Sequence, residues 1–166
     1  MDNDLAQLEA LLRQEIEAQR NLTAAVQRKL AAIRAADHRQ VVACCQDENH
    51  LMQIAADLAK ARLALAAKIT QTLDPAASQP LRLGDLAEKL AEPARGRVMV
   101  LRQQLRQQME AVGHESGIAR RAAEVLASHM RGLVRTVGAA MNGAGVYGRG
   151  GTCPRGAVIS TFQATA

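Results

Sequence analysis

The feature that most constrains this chain is an absence. From residue 1 to residue 146 there is no Phe, Tyr or Trp, and the two aromatics, Tyr147 and Phe162, both fall near the C-terminal end. Yet 48% of the residues are hydrophobic, so apolar burial rests on Ala, Leu, Val, Ile and Met. Such side chains suit closely packed helices, whereas sheets favour β-branched and aromatic residues. The expected fold class is all-α.

The spacing of the aliphatic residues sharpens that expectation. Leu5, Leu8, Leu12 and Ile16, then Leu22, Val26, Leu30 and Ile33, recur mostly at steps of three and four, the repeat of one helix face. They predict a helix over about residues 3–36. Asp37 can accept a backbone N–H as the N-cap of a following helix, with Gln40 in the reciprocal position. No Gly or Pro enforces a break there, so one continuous helix is also allowed. A second stripe, Leu51, Ile54, Leu58, Ala61, Leu65, Ile69 and Leu73, is close to a heptad seam and predicts a helix over 38–73. Pro75 and Pro80 mark residues 74–82 as a linker.

After the linker, "LRLGDLAEKLAEP" reads as a short helix over 84–91, capped by Asp85 and stopped before Pro93. Pro93 can occupy the first turn of a last long helix, 93–141, where its missing N–H costs little. Gly113 and Gly117 interrupt that helix, each at a cost of about 1 kcal/mol relative to Ala, and predict a local bend at "VGHESG". Six glycines among the final 25 residues read as a flexible tail over 142–166. The expected architecture is an elongated antiparallel helical bundle, a coiled-coil hairpin of three long helices and a short one. It forms a single domain over 1–141, followed by the glycine-rich tail.

Chemistry is hard to find in this pattern. Cys44, Cys45, Asp47, Glu48 and His50 cluster on the second helix, but adjacent cysteines diverge by about 100° on a helix, and no four-ligand zinc spacing occurs. No metal or cofactor is expected, and the two thiols read as small helix residues. With Cys153 the cysteines are odd in number, which is no disulfide framework and fits a reduced, cytoplasmic protein. His114, His129 and Ser128 lack an oriented partner for catalysis, and no phosphate-binding loop sits between a strand and a helix. An enzyme is not expected. No apolar run reaches the ~18 residues of a membrane span, so no membrane insertion is expected either.

The charge is unevenly placed. Residues 1–75 carry 9 basic and 10 acidic side chains, and residues 76–166 carry 12 and 6, so the second half attracts anionic surfaces. A basic helical nucleic-acid binder is one alternative. However, the arginines of the last helix are spread out, and the helix has no aromatic on which bases could stack. A coiled-coil scaffold, with oligomers allowed, is another. The more specific reading is interaction with a partner helix. "EVLASHMRGLVRTVGAAM" carries Val125, Leu126, Met130, Leu133, Val134, Val137 and Met141, a stripe broader than a two-helix seam needs, with adaptable Met at two positions.

Taken in order, these segments resemble the FlgN-type flagellar export chaperones. The leucine-rich first helix leads through "LAAIRAADHRQVV" into a second helix. "LRLGDLAEKL" precedes a proline, "PARGRVMVLRQQLRQQM" enters the long last helix, and the chain goes on to "VYGRGG". The resemblance implies a cytoplasmic chaperone of the hook-associated (hook–filament junction) proteins. Such a chaperone binds the C-terminal amphipathic region of its client, prevents premature assembly and delivers the client to the export gate in the membrane. It assigns client binding to Leu126, Met130, Leu133, Val134, Val137 and Met141, and gate docking to Tyr147 with Gly151. Export chaperones are commonly acidic, so a basic member points to an acidic client.

Overall fold

The computed structural model describes residues 2–75, 77 and 79–143, with backbone alone at 142 and 143. They form four helices: α1, Asp2–Arg34; α2, His38–Leu73; α3, Leu83–Glu88; and α4, Ala94–Gly143. Among the described residues there is no strand, and the chain is the all-α bundle that its aliphatic stripes predict. The described residues divide into two units between Ala123 and Glu124.

In the first unit α1 lies between the other long helices. Its leucine stripe is buried along its whole length, from Leu5 and Leu8 to Leu30 and Ile33. Asp4 pairs with Lys68 at 2.6 Å, Glu15 with Arg62 at 3.0 Å, and Lys29 with Glu48, so α2 runs antiparallel to α1. On the other side Glu9 accepts from Arg97 at 2.8 Å, and Val26 and Leu30 cluster with Ala119. Those contacts set α4 parallel to α1, offset by 88 residues at Glu9 and Arg97. In that register Arg34, the last residue of α1, is level with about residue 122, close to the end of the unit.

The main core gathers all four helices at one end of α1. Leu5, Leu8, Leu12 and Ile16 meet Ala66 and Ile69 of α2, Leu86, Ala87 and Leu90 at α3, and Val98, Leu101 and Leu105 of α4. Each fully buried leucine contributes about 1.5–3 kcal/mol of apolar transfer. The α2 seam is buried mainly at this end. Ile69 is 1% exposed, whereas Leu51, Leu58 and Leu65 are half-buried and Ile54 is exposed.

The α1–α2 break has a local cause. The Ala36 N–H donates to the Ile33 carbonyl and the Asp37 N–H to the Ala32 carbonyl, the paired bonds of a Schellman stop. Ala36 takes the left-handed φ of 54° that this stop needs, where glycine is usual. The Asp37 carboxylate then caps α2, accepting from the Gln40 N–H at 3.0 Å. The Gln40 side chain does not return the bond, since its Nε2 turns to Cys44 Sγ, 3.8 Å away. At the other end of α2, buried Thr70 anchors the return of the chain. Its hydroxyl donates to the Ala66 carbonyl and accepts from the Leu81 N–H.

Three local expectations are corrected. Asp85 does not cap α3; the N-cap is Arg82, and Asp85 sits in the first turn, where a carboxylate still favours the helix dipole. Pro93 stands just before α4, its carbonyl accepting from the Arg97 N–H. Gly113 and Gly117 do not break α4, which continues as helix through both.

Candidate functional site

Along Glu124–Met141 the sequence carries only Glu124, Arg131 and Arg135 as charged residues, and its Ala and Leu content favours helix. At about 100° per residue, Leu126, Met130, Leu133, Val134, Val137 and Met141 fall within an arc of about 100°. Five of the six are exposed: Met130 52%, Leu133 48%, Val134 63%, Val137 57% and Met141 73%. Leu126 is half-buried. The client-binding residues expected from sequence are thus brought onto one face and left open, a continuous apolar strip of the kind that marks an interaction surface. Val125, 71% exposed, lies off the arc.

One edge of this strip is recessed. Gly132 has no side chain, and a Cβ there would meet nothing within 4 Å. Around it Val125, Ser128, His129, Leu133 and Thr136 line a shallow depression of about 530 Å³. The Thr136 hydroxyl is turned inward to the Gly132 carbonyl at 3.1 Å, so it offers no outward donor. Sequence reading of the stripe missed this recess. Its signal was a glycine flanked at helical spacing by larger residues. Tyr147 and Gly151, the gate-docking residues expected from sequence, lie outside the described residues, as does Cys153.

The first unit has a depression of its own, about 450 Å³, lined by Arg62, Leu83, Arg102, Leu105, Arg106, Met109 and Glu110. Arg106 donates to Glu110 at 2.8 Å, which raises the guanidinium pKa above its ordinary value. The Arg102 guanidinium lies against Gly84, 3.5 Å from where a Cβ would stand. Nothing in the local sequence brings these residues together, because they come from three helices.

Two carboxylates of the first unit are perturbed. The Lys68 hydrogen bond holds the half-buried Asp4 carboxyl below its ordinary value. Burial pushes Glu15 above its ordinary value, against the opposing charge and hydrogen bond of Arg62. Both belong to ion pairs between α1 and α2 and have a structural use already. Cys44 is buried and Cys45 partly so, both as free thiols, and Glu48 of the same cluster is engaged by Lys29. Among the described residues no group of three or more His, Cys, Asp and Glu could hold a metal ion. No helix among them is long and apolar enough to cross a membrane.

Comparison with known protein families gives a match to the model of the FlgN protein family over residues 1–155, a span that contains all four helices. No curated protein matches the chain, and no solved structure does. A match over nearly the whole length, on a bundle whose last helix exposes an apolar strip, settles the assignment: the chain belongs to the FlgN family of flagellar export chaperones.

Proposed function

We propose that the strip on Glu124–Met141 receives the C-terminal amphipathic region of hook-associated proteins and holds it unassembled in the cytoplasm until delivery to the export gate. The observation that carries this reading is one helix face with five exposed apolar side chains and half-buried Leu126, in a chain of this family. Leu126, Met130, Leu133, Val134, Val137 and Met141 form the contact. A client terminus that is disordered when free gains its helix on docking, and that ordering cost keeps affinity moderate. Moderate affinity suits a chaperone that must give the client up. Met130 and Met141 suit it further, since flexible thioethers repack against more than one client surface. Handover is assigned to Tyr147 and Gly151, beyond the docking helix, where contact with the gate need not compete with the strip.

The test is calorimetry with a C-terminal peptide of a hook-associated protein and the Leu133→Asp variant. Leu133 is half-exposed in the free chain, so docking recovers about 1 kcal/mol from it. A carboxylate in its place adds a desolvation cost of at least that size. Affinity should fall about a hundredfold with helicity unchanged by circular dichroism. Equal affinity in the variant would move the client elsewhere.

A further inference from the structure

We infer that the helix docked on this strip carries acidic side chains along one edge only, the edge that meets Arg131 and Arg135; this rests on the docking reading above. The two edges of the strip differ in kind. Taking Leu126 as origin and about 100° per residue, the apolar arc runs from Leu133 to Val134. Beyond Val134 come Ala127 and Gly138, which are small, and then Arg131 and Arg135, with Glu124 on the same edge about two turns before Arg131. Beyond Leu133 come His129, Thr136, Val125 and the Gly132 recess, with no fixed charge.

Both arginines are exposed, and among the described residues neither is in an ion pair. Six guanidinium groups of the first unit are used internally: Arg62 holds Glu15, Arg97 holds Glu9, and Arg13, Arg20, Arg28 and Arg106 each face a carboxylate. Arg131 and Arg135 stand one turn apart on one row, which matches carboxylates spaced four apart on a facing helix. With only Ala127 and Gly138 between the row and the strip, each guanidinium can lean across toward a docked partner. Its planar fork then suits a carboxylate in two-point contact. The segment after Glu124 has no acidic residue that could occupy either arginine from within.

An anionic membrane surface would also attract a basic amphipathic helix. Helices that lie in a lipid interface carry basic residues around the polar face and insert bulky aromatics. Here the charge is on one edge and the described helix has no aromatic, which favours an acidic-edged protein helix.

The experiment uses the full chain and four synthetic 20-residue amphipathic peptides with one common Leu–Met face. Their edges carry Glu on one side, Glu on the other side, Lys on one side, or Gln throughout. Binding is read by fluorescence anisotropy at about 50 mM and about 500 mM salt, conditions that respectively expose and screen surface charge. One Glu-edged peptide should bind about tenfold tighter than the Gln peptide at low salt, with the advantage gone at high salt. The Arg131→Gln/Arg135→Gln variant should erase that difference while keeping affinity for the Gln peptide. Equal binding of Glu and Gln peptides, or an unchanged preference in the double variant, overturns the acidic edge and leaves the strip standing. If no peptide binds, or if Leu133→Asp binds all of them as the wild type does, the docking reading itself falls. Binding to phosphatidylserine vesicles that outcompetes the Glu peptide would assign the arginine row to a membrane instead.

Discussion

Replacing Arg62 with Met should destabilise the bundle far more than loss of a surface charge would, and the loss should shrink in acid. Glu15 is a core residue of α1, its side chain 3% exposed, and Arg62 bonds both its oxygens at 3.0 Å from α2. Met keeps most of the stem that packs along the helix and removes the charge. Breaking a buried pair by deleting one partner costs about 3–5 kcal/mol. Because Arg62 is itself 21% exposed, water can reach part of the site, and we expect about 3 kcal/mol. For a chain of this length that corresponds to about 6–12 °C in Tm. The pH dependence follows from the raised pKa of Glu15. A carboxyl that holds its proton more tightly when folded gives stability that is fully present below its ordinary value of 4.5 and is lost as pH rises through the folded value. In the variant both opposing effects of Arg62 are gone, so the folded value moves higher and the window widens. Urea unfolding followed by circular dichroism should therefore show a large deficit at about pH 8 and a much smaller one at about pH 5. The double variant Glu15→Leu/Arg62→Met should recover wild-type stability or exceed it, as well-packed apolar replacements of buried pairs do. A deficit under about 1 kcal/mol at pH 8, or one that does not shrink in acid, would refute the claim that Arg62 is what keeps a charged Glu15 in the core.

The Gly113→Ala/Gly117→Ala variant should be more stable by about 1–2 kcal/mol in urea unfolding, because the added Cβ atoms meet nothing within 4 Å; a loss of stability would mean that the helix interior uses the glycines. Thr70→Val should cost about 1–3 kcal/mol and speed hydrogen exchange at the Leu81 amide, which loses its acceptor; unchanged exchange would show that the linker is held elsewhere. Tyr147→Ala should leave client-peptide affinity unchanged in calorimetry and lower export of the hook-associated protein; a drop in affinity would put Tyr147 on the docking surface.

The aliphatic stripes made the fold class legible because a helix face is written locally, in steps of three and four. The α1–α2 break was only half legible. Asp37 signalled the start of α2, but the residue that turns the chain is Ala36 in a conformation normally announced by glycine, so no breaker was there to read. Glu9 and Glu15 looked like the polar side of an amphipathic helix. Their burial depends on Arg97 and Arg62, 88 and 47 residues away, and no periodicity in α1 contains that information. The apolar strip of α4 is legible in the same local way as the stripes. Which residues share its face is a matter of helical spacing and could be read directly. The offset between α1 and α4 in the first unit is instead a non-local quantity. Glu9 with Arg97, and Leu30 with Ala119, fix that offset so that the 33 residues of α1 are used up near residue 122. A shift that moved α4 one turn along α1 would separate Glu9 from Arg97 and Leu30 from Ala119 together. The Glu9–Arg97 ion pair is therefore part of what sets the register of the first unit, and no local pattern in either helix announces it.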